Sequence, residues 1–250
     1  MNLFFPDNIF ASLIAKNLKG EHDIKYLPSS LLAKKVSEDE NSAALIPTTD
    51  LLQHKELFVS KKIGISFDGE LSNSYIYFKP GGTDLNEIAL SGDVSSLEAL
   101  LSKILFKEVY NSEISLKILT DNPQFENNNL VVAGDINLSS GIFKKGLSYA
   151  DELTDLLNLP FVNFVAASQS QKLIEELNEI TKDISEAIYA SVEKGELIGK
   201  YPAETIKFLK LHIPELIYEF DEQDVEGITQ LVMLPYLHGI TKELFDIKFI

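Results

Sequence analysis

The stretch Leu90-Ser-Gly-Asp-Val-Ser-Ser-Leu-Glu runs into an apolar-periodic segment that ends at Leu105. Small polar residues crowd the point where a helix should begin. A helix start presents free backbone N–H groups and the positive end of its dipole. Ser95 and Ser96, with those N–H groups, could therefore hold an anion, above all a carboxylate, without any lysine. The same residues could equally serve as a plain cap, with Ser95 or Asp93 closing the first turn. Three other apolar runs end in comparable residues: Asp7 and Asn8 after Phe4-Phe5-Pro6, Thr48 and Thr49 after Ala44-Leu45-Ile46-Pro47, and Asp135 after Val131-Val132-Ala133-Gly134. Each is weak alone. Four polar strand ends in one fold point to a cleft in which strand C-termini and helix N-termini converge on a ligand. No residue stands out as a general base, and Asp7 and Asn8 are candidates by position only.

Other chemistries lack their residues. The four histidines, His22, His54, His212 and His238, form no HxH or HxxxH pair, so no metal is expected. There is no cysteine, which excludes thiolate catalysis, disulfides and Cys-ligated zinc. No Walker A, GxGxxG or GxSxG segment occurs, and Lys79-Pro80-Gly81-Gly82 reads as a turn. No organic cofactor is implied.

The net charge of −16 opposes binding to nucleic acid or to anionic lipid, both of which need basic surface. A local pocket can still take a small anion against the global charge. No apolar run approaches the ~20 residues of a membrane span. The first twenty residues carry no basic region ahead of their apolar stretch, so they are expected to be a strand and helix of the fold rather than a signal peptide, and the expected location is the cytoplasm.

These residues need elements to position them. With 45% hydrophobic residues, 250 positions can bury a sizeable core. The first fifty residues alternate strand and helix as β-α-β-α-β, which implies a parallel sheet covered by helices. The pattern changes after residue 55, where alternating strands at Ile63–Phe67 and Tyr75–Phe78 precede the break at Pro80-Gly81-Gly82. Further strands are expected at 87–93, 113–121, 130–135 and 161–168, with helices between. After Ser168 the pattern is helical to the end, with residues 170–195 carrying one apolar face. The expected fold is α/β and two-lobed, with a discontinuous first lobe (1–74 and 166–250), an inserted second lobe (75–165), and a ligand cleft between them.

The order of these motifs resembles the cytosolic menaquinone-biosynthesis proteins of the futalosine pathway, chiefly chorismate dehydratase. Ala44–Asp50 stands where that family has Ala-Leu-Ile-Ser-Ser-x-(Glu/Asp), Ser95-Ser96 where it has Thr-Ser, Gly134–Leu138 where it has Gly-Asp-x-x-Leu, and Asn158–Ser168 matches its Leu-Pro-Phe-Val step and returning strand. The resemblance implies a type II periplasmic-binding-protein fold and a cofactor-independent lyase that removes water from chorismate. It places Ser95 and Ser96 on a substrate carboxylate, Thr48 on a second polar group, and Asp135 on backbone N–H groups that fix loop geometry. This chain departs from the pattern in its Phe-Phe-Pro-Asp-Asn strand end, in Pro47, and in having no tryptophan. A non-catalytic protein of the same fold that binds a small anion is the alternative. A structural or partner-binding protein with a closed cleft is the third possibility. The sequence does not set the ligand or the oligomeric state.

Overall fold

The computed structural model describes residues 1–82, 84–196 and 198–250. The chain begins β1 (Asn2–Pro6), α1 (Ile9–Asn17), β2 (Asp23–Leu27), α2 (Ser29–Ser37), β3 (Ser42–Pro47), a 3-10 turn (Thr48–Leu52) and β4 (Phe58–Phe67). It then lays down β5 (Ser74–Tyr77), β6 (Glu87–Gly92), α3 (Ser96–Tyr110), β7 (Ser115–Ile118), β8 (Asn129–Ala133), the single turn α4 (Ile136–Ser139), β9 (Leu147–Ser148) and α5 (Tyr149–Leu157). It returns through β10 (Phe161–Ser168) and closes with α6 (Gln171–Ile180), α7 (Ile184–Glu193), α8 (Ala203–His212), β11 (Ile217–Glu219), α9 (Glu222–Leu237) and β12 (Lys248–Phe249).

The strands form two sheets with one plan. The first has the order β11-β4-β10-β3-β1-β2, with β12 also on β4; the second has the order β7-β6-β8-β5-β9. In each, the first strand pairs in parallel with the second and the third (β1 with β2 and β3; β6 with β7 and β8). In each, an antiparallel strand beside a crossing then joins the third strand to the fourth (β10 between β3 and β4; β5 between β8 and β9). Central strands such as β3 and β10 are buried along their whole length, because helices cover both faces. The fold is therefore α/β with two lobes. Sheet membership puts the outward crossing between Phe67 and Ser74 and the return between Ser148 and Phe161. The expected boundaries at 74/75 and 165/166 fall inside β5 and β10.

Beneath the crossings, Phe67 meets Phe10 edge-on at 5.1 Å and stacks on Phe161 at 6.5 Å, while Tyr149 meets Phe161 edge-on at 6.3 Å. This aromatic pin joins α1, β4, β10 and α5, with ring spacings in the favourable range. The C-terminal helices brace both lobes. Phe208 of α8 packs on Phe143 at 4.4 Å, and Thr205 donates to the Leu138 carbonyl at 3.0 Å. Helix α9 lies on β10 and the 3-10 turn and reaches α3.

The C-terminal region departs from the helical reading in two ways. Residues 170–195 are two helices, not one. The chain turns at Thr181–Asp183, where Asp183 adopts φ +64°, and Thr181 spends its hydroxyl on the Leu177 carbonyl at 2.8 Å. Hydroxyl competition of that kind weakens a helix from inside. The chain also adds two short strands, β11 and β12, both on the first sheet, where long-range pairing overrides local pattern.

Candidate functional site

The C-terminal ends of the central strands of both sheets meet at one seam. On the second lobe, β6 ends in Gly92-Asp93 and β8 ends in Gly134-Asp135. Both glycines have positive φ, +84° and +87°. A Cβ on Gly92 would lie 2.1 Å from the Ala133 carbonyl oxygen, and one on Gly134 would lie 3.0 Å from Cβ of Asp93. Only glycine allows this backbone and this approach. The two Gly-Asp corners thus sit side by side, tied by Asp93 N–H to Ala133 O at 3.1 Å.

Each aspartate reaches across to a helix of the first lobe. Asp135 accepts the Ile9 N–H at 3.1 Å at the start of α1, and the Tyr201 hydroxyl at 2.5 Å. Asp93 accepts the Ser29 N–H at 2.9 Å and the Ser29 hydroxyl at 2.6 Å at the start of α2. Helix α2 has Pro28 at its cap position, which offers no side-chain acceptor, so its cap comes from the other lobe. Negative charge at both helix starts is favoured by the free N–H groups and the dipole.

A third bridge runs the other way. Ser96, at the start of α3, donates to Asp50 at 2.5 Å and exchanges a 2.6 Å hydrogen bond with Thr49, both in the turn after β3. Burial pushes the Asp50 carboxyl up to about 6, against the opposing pull of the Ser96 hydroxyl and of His54. Ser95 is occupied within its own helix. Its hydroxyl accepts from Leu97 N–H at 3.2 Å and donates to Glu98 at 2.7 Å, and Glu98 accepts the Ser95 N–H in return, a reciprocal capping box. Glu98 also accepts from Ser74 at 2.9 Å, and burial raises its carboxyl above the ordinary range.

The seam brings together most of the residues singled out from the sequence. Asn8 caps α1 through Ala11 N–H at 2.9 Å, beside the Ile9–Asp135 bond. Thr48 is fully buried and donates to the Val162 carbonyl at 2.6 Å, which holds the turn onto β10. Thr49, Ser96 and Asp135 make lobe-to-lobe hydrogen bonds. Asp7 is exposed. Asp135 does bind backbone N–H, as expected of it, but that N–H belongs to the opposite lobe. The sequence marks Asp93 only as a local cap and Asp50 only as the end of the Ala44–Asp50 motif, and it gives no sign of Ser29 or Tyr201. The repeated Gly-Asp after two apolar strands was the available signal for Asp93. Tyr201 lies in a long C-terminal connection with no local pattern.

Two cavities differ in their relation to this seam. One of about 1100 Å³ is walled by Ser30 of α2, by Ser91 and Gly92 at the end of β6, by Val94 beyond it, by Ile136, and by residues 118–124. It opens directly beside the Asp93–Ser29 bridge. Another of about 780 Å³ lies at the outer edge of the first lobe, between Lys61 and Lys62, the end of α6 and the start of α9. None of the four strand ends lines it, so the first is the candidate ligand space. Among the described residues no group of three or more His, Cys, Asp and Glu could hold a metal ion, and no helix is long and apolar enough to cross a membrane.

The fold has counterparts among solved structures. The periplasmic aliphatic sulphonate binding protein SsuA from Escherichia coli superposes with a TM-score of 0.68 at 14% identity, over 99% of this chain and 95% of that one. The fold is that of the type II periplasmic binding proteins. The alkanesulfonate-binding protein SsuA from Xanthomonas axonopodis pv. citri, bound to MOPS, matches with a TM-score of 0.62 at 11% identity over 96% and 93% of the two chains. Protein AF1704 from Archaeoglobus fulgidus matches with a TM-score of 0.57 at 14% identity over 96% and 98%. No family model matches the sequence, and no curated protein matches it significantly. These likenesses show the fold.

Proposed function

We propose that this chain binds a small acid in the seam between its lobes. One observation carries the reading: the starts of α1 and α2 each hold a carboxylate delivered by the opposite lobe. These are working acid-recognition points, complete with backbone N–H and hydroxyl donors, at the place where ligands bind in open α/β folds. They are joined by hydrogen bonds, which a ligand acid can replace. All 22 basic residues are lysine, so no guanidinium fork is present and acid recognition falls to N–H and hydroxyl donors. Binding of MOPS by the Xanthomonas neighbour supports the same ligand class, an organic acid, on this fold.

The test is a thermal-shift screen with acetate, succinate, methanesulfonate and chorismate. A ligand at ~100 times its Kd adds about 2.7 kcal/mol to stability, so a binder is visible as a rise in Tm. If no acid raises Tm, the seam is a fixed lobe interface and the reading falls.

A second reading is a chorismate dehydratase-like lyase of menaquinone biosynthesis. It is favoured by the motif order and by Asp50, whose carboxyl at about 6 is suited to proton exchange near neutral pH. Loss of chorismate absorbance on incubation, abolished in Asp50→Asn, is its expected signature. Chorismate binding without turnover leaves the binding reading alone.

A further inference from the structure

The cavity beside the Asp93–Ser29 bridge has a charge balance that a simple acid does not satisfy. Its walls carry one charged side chain, Asp121, and neither lysine nor histidine. Asp93 and Asp135, the aspartates already at the helix starts, form no ion pair among the described residues. An acid that takes the Ser29 N–H and hydroxyl has to release Asp93, which holds them at 2.9 and 2.6 Å. The freed carboxylate then lies next to the incoming one, with no cation on the cavity wall to offset either. Like charges this close repel, and a half-buried charge left without a partner is costly. A ligand that brings its own positive charge removes both penalties.

A second feature of the same cavity points to a ligand. Ser91 is 2% exposed and walls the cavity at the end of β6, two residues before Asp93. Its hydroxyl makes no hydrogen bond to another described residue, although a serine hydroxyl can both donate and accept. The remaining walls include Val94, Leu119, Pro123 and Ile136, an apolar surface with no aromatic ring.

We propose that the ligand of this cavity is an aliphatic α-amino acid. Its carboxylate replaces Asp93 at the start of α2, and its ammonium pairs with the freed Asp93 carboxylate. The Ser91 hydroxyl accepts from that ammonium, and the aliphatic side chain lies against the apolar walls. An α-amino acid holds its two charges two bonds apart, which suits the two protein groups that are in direct contact before it arrives, Ser29 and Asp93. The exchange leaves every charge paired, whereas a simple acid leaves Asp93 unpaired. The proposal rests on the reading of the seam as an acid site and names the substrate class of that site.

Calorimetry of the whole chain at pH 7 with L-leucine, 4-methylpentanoate and 2-hydroxy-4-methylpentanoate tests it. The three share an acid and a side chain and differ in carrying an ammonium, a hydrogen or a hydroxyl on the α-carbon. Leucine should bind at least about tenfold more tightly than either of the others. In Asp93→Asn, which keeps an amide oxygen for Ser29 but no charge, that preference should fall below about threefold. Should this variant fail to fold, the wild type alone decides through the hydroxy acid: if it matches leucine, hydrogen bonding rather than charge is being read and the proposal is overturned. It is also overturned if 4-methylpentanoate binds as tightly as leucine, or if Asp93→Asn keeps the full preference, and in each case the seam reading stands on the acid that binds. If none of the three binds while another acid in the thermal-shift screen does, this proposal falls alone. If no acid binds at all, both fall.

Discussion

The two lobes share a strand plan but meet at the seam with opposite chemistry. The first lobe brings helix starts and hydroxyls: α1 with Asn8, α2 with Ser29, and Thr48 and Thr49 after β3. The second brings two Gly-Asp corners whose carboxylates fill those helix starts. At Ser96 and Asp50 the direction is reversed, with a second-lobe hydroxyl donating to a first-lobe carboxyl. One fold thus supplies either side of an acid-recognition contact, depending on whether a strand ends in Gly-Asp or in a residue that starts a helix. The lobes are complementary because of this difference, and the difference can be tested residue by residue.

The largest effect should come from the corner that makes the contrast possible. Gly92→Ala drives a Cβ into the Ala133 carbonyl from a positive-φ backbone, and a loss of about 3–4 kcal/mol is expected in urea unfolding. Gly134→Ala, whose neighbour is a Cβ at 3.0 Å, should lose less, about 1–2 kcal/mol.

Next in size is the reversed bridge. The folded Asp50 carboxyl titrates at about 6, above its ordinary 3.8. Between those values the folded state binds more protons than the unfolded chain, so this group's contribution to stability falls as pH rises. It is fully present below about 4 and is lost above about 6. Asp50→Asn should therefore gain on the wild type by up to about 3 kcal/mol between pH 4 and pH 7, measured as the difference of two stability–pH curves. Parallel curves would mean that the carboxyl is not held in that state.

Smaller effects separate the two serines. Ser95→Ala removes the cap of α3 and one donor to buried Glu98, and should lower stability by about 1–2 kcal/mol with acid binding unchanged. Ser96→Ala removes a lobe-to-lobe bond and should cost only about 0.5–1.5 kcal/mol, with acid binding altered. Equal binding changes in both would erase the distinction between a cap and a bridge.

Much of this architecture was legible in the sequence because it is local. The β-α-β-α-β start, the apolar strands β3 and β10, and the polar ends after β1, β3, β6 and β8 all follow from periodicity and punctuation. What was not legible depends on partners distant in the chain. Asp93 reads as a local cap until Pro28, 65 positions earlier, is seen to leave α2 without one. Tyr201 acquires its role only by lying against Asp135.

The central claim is that Asp93 and Asp135 occupy sites made for an acid. It is tested most directly by chemical rescue of an Asp93→Ala, Asp135→Ala double variant. Loss of both caps should lower Tm by about 5–10 °C for a chain of this size. Addition of acetate or methanesulfonate at 100 mM should restore at least about half of that loss, and should raise the Tm of the double variant by more than that of the wild type, where a free acid must first displace an aspartate. A double variant that loses stability but responds to these acids no more than the wild type would show that the helix starts do not receive free acids, and would contradict the account.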